Sequence, residues 1–154
     1  MRFKYGRTGL EAFVIPYFQV FDMIESLRFY CGVLGFEVIF SSPEVDTREG
    51  RFSHFVRLRF GDAELMLNTT YDSNERPELR DVARWAGHAD VALYIDCTDV
   101  DALHAETAGR GCTAPPPRVT PWGTRSFQTI DPDGYRLTFS SLLTERAPLD
   151  TMPE

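Results

Sequence analysis

The stretch Pro121–Phe139, PWGTRSFQTIDPDGYRLTF, decides how the rest of the chain is read. Thr124–Ile130 and Tyr135–Phe139 are rich in β-branched and aromatic residues, the composition of a pleated, half-buried strand. Between them, Asp131-Pro132-Asp133-Gly134 carries turn chemistry. Pro132 fixes φ at the second turn position, Asp131 has an oxygen within reach of its own backbone, and Gly134 accepts φ > 0 at little cost. The stretch predicts an antiparallel hairpin.

Upstream of the hairpin the chain supplies a strand, a helix and a short strand. Val91–Cys97 alternates, with Leu93, Ile95 and Cys97 on one face and Ala92, Tyr94 and Asp96 on the other. Asp99 caps a helix that runs to Ala108 and stops at Gly109-Arg110-Gly111. Cys112–Ala114 reads as a short strand ended by Pro115–Pro117.

The first half repeats that order. Phe13–Phe21 is a strand whose Pro16 places it at a sheet edge or near its own start. Asp22 caps the next helix, with Glu25 completing a capping-box pattern. Ile24, Leu27, Cys31 and Leu34 fall on one helical face, and Gly35 stops it. Phe36–Ser41 is a strand, Ser42–Gly50 a polar loop, Phe52–Phe60 an alternating strand, and Ala63–Asn68 its return after Gly61-Asp62. Pro77–Ala86 reads as a short helix begun by its proline. The predicted organisation is a first module at 13–70, a connection at 71–89, a second module at 90–142 and a polar tail at 143–154, with Leu142 and Leu143 docking.

Composition narrows the function classes. The 154 residues, 43% hydrophobic and 25% charged, suit a globular chain with a real core. A net charge of −7 argues against a nucleic-acid partner, because neutralising phosphates needs a basic face. No run approaches the length of a membrane span and the N-terminus lacks an apolar signal core, so a cytoplasmic location and no membrane partner are expected. Cys31, Cys97 and Cys112 are odd in number and widely spaced, which favours buried reduced thiols.

Four strings, in order, resemble the glyoxalase, bleomycin-resistance and dioxygenase superfamily, the vicinal oxygen chelate proteins. They are Ile15–Phe36 (IPYFQVFDMIESLRFYCGVLGF), Gly61–Leu67 (GDAELML), Leu93–Leu103 (LYIDCTDVDAL) and the closing hairpin. The resemblance implies an α+β fold of two βαβββ modules whose curled, mixed sheets form a cleft, commonly completed in a homodimer. In the family's metal-using members four cleft side chains hold a divalent ion that chelates vicinal substrate oxygens. Carried onto this chain, those positions are Ile15, Met66, Ala92 and Thr138, none of them a ligand for a hard ion. No cofactor is expected. A nonstandard metal site built from His54, Glu64 and His88 is the alternative, although His54 shares a face with Phe52 and Val56 and reads first as a wall residue.

What the resemblance leaves is a cleft lined by aromatic and amide groups. The expected ligand-binding residues are Tyr17, Gln19, Met66, Tyr94, Gln128 and Thr138, with Trp122 and Arg125 at the mouth, and Asn68, Asp96 and Arg136 beside them. Such a surface suits flat, polar organic molecules. The expected function is a metal-independent protein that sequesters a small, antibiotic-like molecule. The alternative is a metal-dependent lyase, isomerase or extradiol dioxygenase with displaced ligands; a module without a ligand is the third reading.

Overall fold

Pro16 fixes where regular pairing begins in the computed structural model, which describes residues 12–143. Strand β1 is Tyr17–Val20, shorter than the 13–21 expected. Pro16 has no N–H for a ladder, and only its carbonyl pairs, accepting from Met66 N at 2.8 Å. Asp22 then caps helix α1 (Met23–Leu27), its Oδ1 accepting from the backbone of Ile24 at 3.0 Å and Glu25 at 3.2 Å. The helix continues as a π-helical stretch, Arg28–Leu34, and ends at Gly35, whose φ of 93° is left-handed. The buried line is Met23, Ser26, Tyr30 and Leu34; of the expected Ile24, Leu27, Cys31 and Leu34, only Leu34 is fully buried. Tyr30 rather than Cys31 points inward, its hydroxyl reaching Asp131 in the other half.

Strand β2 (Glu37–Ser41) is followed by a hairpin, β3 (Glu44–Thr47) and β4 (Gly50–Ser53), where a loop was expected. Its turn is closed by Thr47, whose hydroxyl donates to Gly50 O at 2.8 Å and accepts from Glu49 N at 3.1 Å. The chain bends at His54, so the single strand expected over Phe52–Phe60 is divided, and β5 is Phe55–Phe60. With β6 (Ala63–Thr69) the sheet order is β1-β6-β5-β2, β1 parallel to β6 and the other pairs antiparallel.

Helix α2 is Val82–Gly87, capped by Asp81, which accepts from Arg84 N at 3.1 Å. It starts later than Pro77 predicted, where a side chain is available to satisfy a free N–H. Strand β7 (Ala92–Asp96) and helix α3 (Val100–Gly109) follow, the latter capped by Asp99 as read. Strand β8 lies at Arg118–Val119, not Cys112–Ala114. Cys112 N is spent closing the helix on Thr107 O at 2.9 Å, and the chain must pass Pro115–Pro117 before an N–H is free to pair. Strands β9 (Thr124–Ile130) and β10 (Arg136–Leu142) complete a second sheet, β7-β10-β9-β8, with β7 parallel to β10. Leu142 and Leu143 stay largely exposed; the end of the strand is held instead by Leu143 N donating to Gly123 O at 3.1 Å. The rest of the expected tail lies outside the described residues.

The α+β architecture expected from the sequence is the one observed. The two halves share one core through their helix-covered sides. Phe18 stacks on Tyr135 with centroids 3.8 Å apart, and Phe60 meets Phe139 at 5.7 Å. Cys31, Cys97 and Cys112 are free thiols, half-buried rather than buried; burial raises the Cys31 and Cys97 pKa values above the usual thiol range. No helix among the described residues is long and apolar enough to cross a membrane.

Candidate functional site

Because side chains alternate across a strand, burying Phe18, Val20, Val56, Leu58, Leu65 and Leu67 against the helices turns their neighbours to an open face. On the first sheet that face carries Tyr17, Gln19, Met66 and Asn68, with Tyr17 opposite Met66 and Gln19 opposite Asn68 in the parallel register. On the second sheet Thr138 lies opposite both Tyr94 and Gln128, and Gln128 Nε2 donates to its hydroxyl at 3.2 Å. Beside them Ser140 donates to Asp96 Oδ1 at 3.0 Å, and Arg136 Nη1 reaches Gln128 Oε1 at 3.5 Å. Among the described residues no side-chain hydrogen bond, ion pair or aromatic contact joins one open face to the other. Each face is a platform, its aromatic groups exposed: Tyr17 at 48% and Tyr94 at 65%.

One expected residue sits elsewhere. Arg125 belongs to the helix-covered side of β9, where its guanidinium grips Asp101 in the first turn of α3 through two bonds of 2.8 and 2.9 Å. That pairing holds the Asp101 carboxyl below the usual range. Trp122 lies in the turn between β8 and β9, largely exposed. Missing from the sequence reading was Arg57, which stands on the open face of β5 across from Met66 and binds Glu64 at 2.5 Å. The alternation of Arg57 and Arg59 with Val56 and Leu58 was the available signal.

The positions that would hold a family metal do not fit one. Met66 offers a thioether, Thr138 a hydroxyl already engaged by Gln128, and Ile15 and Ala92 no donor. The nonstandard set is dispersed into other bonds. The His54 ring joins Thr69 and, at 2.9 Å, Ser73; Glu64 holds Arg57; His88 Nδ1 meets Asp133 O at 2.6 Å. Among the described residues no group of three or more His, Cys, Asp or Glu is placed to hold an ion.

The closing turn is more than a hairpin connection. Asp131 Oδ1 accepts from Asp133 N at 2.9 Å and Tyr135 N at 2.8 Å, while Oδ2 accepts from the Tyr30 hydroxyl, 2.7 Å away in the other half. Burial raises its pKa to about 7, against the opposing pull of those bonds. It likewise drives Tyr30 well above the usual phenol range, helped by the Asp131 charge. Asp133 Oδ1 takes Phe21 N at 3.0 Å and Arg80 at 2.6 Å; its Oδ2 is buried without a partner, and burial raises this carboxyl too. Trp85 Nε1 donates to Pro132 O at 3.0 Å, and the His88 ring stacks on Tyr135 at 3.9 Å. The turn thus fastens both halves and the connection together.

Comparison with known proteins agrees with this architecture. The sequence model of the Glyoxalase/Bleomycin resistance protein/Dioxygenase superfamily matches residues 12–139. No curated protein matches the chain. Among solved structures, TioX from Micromonospora sp. ML1 superposes with a TM-score of 0.62 at 19% identity, covering 88% of this chain and 100% of that one. The bleomycin-binding protein of bleomycin-producing Streptomyces verticillus, complexed with copper(II)-bleomycin, gives 0.59 at 24% identity, with 88% and 100% covered. TnmS3, an antibiotic binding protein from Streptomyces sp. CB03234, gives 0.57 at 24%, with 86% and 98% covered. At these identities the likeness speaks for the fold, and the family match speaks for descent: the chain belongs to the glyoxalase/bleomycin resistance protein/dioxygenase superfamily.

Proposed function

We propose that this protein binds and sequesters a small, flat, polar organic molecule without a metal ion, in the manner of an antibiotic-resistance binder. The observation that carries the reading is the pair of open sheet faces, each presenting an exposed tyrosine among amide and hydroxyl groups. Rings on such a face offer stacking area, and the amides fix orientation. The donor set at Ile15, Met66, Ala92 and Thr138 supports the metal-independent form of the function. Neighbours of the same fold include proteins described as bleomycin-binding and antibiotic-binding, which supports the ligand class.

In this proposal the modules are residues 13–70 and 90–142, joined by 71–89, and the working unit is a homodimer. A second copy would lay one open face against the complementary one, turning two platforms into an enclosed cleft. Tyr17, Gln19 and Met66 would then come from one protomer and Tyr94, Gln128 and Thr138 from its partner, with Trp122 at the rim. Arg125 has no part in it, being committed to Asp101.

Thermal unfolding against bleomycin-type glycopeptides and small polar aromatics tests the reading. Ligand at about 100 times Kd stabilises the folded state by about 2.7 kcal/mol. For a chain of this length that raises the midpoint by about 5–10 °C. Trp122→Ala and Tyr94→Ala should each reduce the shift. A hit indifferent to both would put the ligand elsewhere, and near-stoichiometric Zn, Ni, Fe or Mn in protein purified without added metal would favour the enzyme reading.

A further inference from the structure

A groove of about 240 Å³ opens at the seam between the two sheets. Its walls are the lead-in Phe13–Pro16, the start of β6 at Asp62–Leu65, the middle of β7 at Leu93–Ile95, and Phe36 at the floor. Phe36 and Leu65 are buried at the bottom, whereas Phe13, 80% exposed, and Tyr94 stand at the rim. Among the described residues the lining contains two carboxylates, Asp62 and Glu64, and no Lys, Arg or His. Glu64 is paired with Arg57 on the open face of the first sheet, so the uncompensated charge facing the groove is that of Asp62, which has no ion pair among the described residues.

We propose that this groove is a binding site for a small aryl-ammonium cation. Three properties of the site specify that class. The volume exceeds the roughly 150 Å³ of an apolar cavity that holds benzene, leaving room for one ring and a compact head group. The apolar floor gives the ring a dry surface. The lining brings two exposed aromatic rings, Phe13 and Tyr94, and the Asp62 carboxylate to one groove, and rings and carboxylate both attract a weakly hydrated ammonium. An anionic head would meet Asp62 and Glu64 with no basic residue among the described lining to receive it. The site adjoins the proposed cleft, sharing with it Tyr94 at the rim and the open-face side chains Ile15 and Glu64.

The probe is benzyltrimethylammonium, followed by NMR titration of the full chain, with benzenesulfonate and benzyl alcohol as anionic and uncharged counterparts. Saturable binding is expected for the cation, with both counterparts at least tenfold weaker. Asp62→Asn should weaken the cation about two- to fivefold, as loss of an exposed charge partner does. Phe13→Ala should cost a similar factor through loss of a ring beside the ammonium. Both residues are surface groups, so the variants are expected to fold. Equal affinity for the three probes overturns the charge assignment. Cation binding unchanged in the Asp62→Asn, Phe13→Ala double variant overturns the location, and no binding of the cation by the native chain overturns the proposal outright.

Discussion

Replacing Asp131 by Asn tests whether burial or hydrogen bonding governs the closing turn. The side chain is 2% exposed and accepts three hydrogen bonds, all of which favour the charged form, yet burial lifts its pKa from 3.8 to about 7. A folded-state pKa above the unfolded one means the native protein keeps a proton that the unfolded chain has released. The stability contributed by that proton is fully present below pH 3.8 and is lost as pH rises through about 7. At about 1.4 kcal/mol per tenfold change in acidity, the whole loss is about 4 kcal/mol, of which about 2 kcal/mol falls between pH 5.5 and 8. Asn keeps the oxygen that receives the two backbone N–H groups and offers an amide N–H to the Tyr30 oxygen, but it does not titrate. Asp133, also raised, and Asp101, lowered, remain in both proteins and cancel in the difference. Thermal melts of both proteins across that pH range should show Asp131→Asn gaining about 4–8 °C on the native chain as the pH rises. A difference in midpoint that does not change with pH would refute the reasoning, and would mean that the three hydrogen bonds outweigh burial.

Further expectations concern the same framework. Tyr30→Phe removes a donor that stabilises the Asp131 carboxylate, so the pH dependence of the melt should become steeper, read by the same scans. Gly134→Ala should destabilise by about 3 kcal/mol or more: φ is +88° and the added methyl would overlap the backbone oxygen of Trp85, so denaturant melts should show a large fall in midpoint. Asp99→Ala removes the oxygen that caps α3 and should cost about 1 kcal/mol by urea denaturation, with the slope unchanged. A monomer by light scattering at tens of micromolar would count against the proposed dimer.

The elements most legible in the sequence were those with a local cause. Asp22 and Asp99 marked helix starts because a short acceptor side chain meets free N–H groups within three residues. The alternation in Val91–Cys97 and Thr124–Ile130 gave strands because one face of each is turned to the core, while β10 is buried on both faces through its middle. The hairpin β3–β4 escaped notice since both of its strands are polar, and what secures it is Thr47 at the turn and Arg51 bridging Glu44 and Asp46. The shifted face of α1 could not be read either, since its cause is 101 residues away: Tyr30 turns inward to Asp131. On the candidate site, alternation placed Tyr17, Gln19, Met66, Tyr94 and Gln128 on open faces, with Thr138 on the same side of its sheet but buried between its neighbours. It misplaced Arg125 by not knowing which face of β9 α3 covers.

The same long-range logic bears on how the two halves are held. Their shared contacts are aromatic on the core side, where exact angles are forgiving, and polar at the acidic turn, where they are not. Asp133 takes a backbone N–H from Phe21 at the end of β1 and a guanidinium from the connection; the same Arg80 reaches Glu25 at 2.7 Å and lies over the Phe21 ring at 4.7 Å. Arg76 doubles the arrangement, 3.3 Å from the Asp22 cap and 4.9 Å from the Phe21 ring. The connection therefore ties the N-terminal end of α1 to the β9–β10 turn, and we expect that tie to set the angle between the two open faces. If a ligand is held between one face of each of two copies, that angle decides whether both clefts of a dimer can close at once. Arg80→Ala should then weaken ligand binding without touching the ligand, while Arg80→Lys, which keeps the charge, should restore part of it. Full affinity in Arg80→Ala, with its melting point lowered, would show that the connection contributes to stability alone.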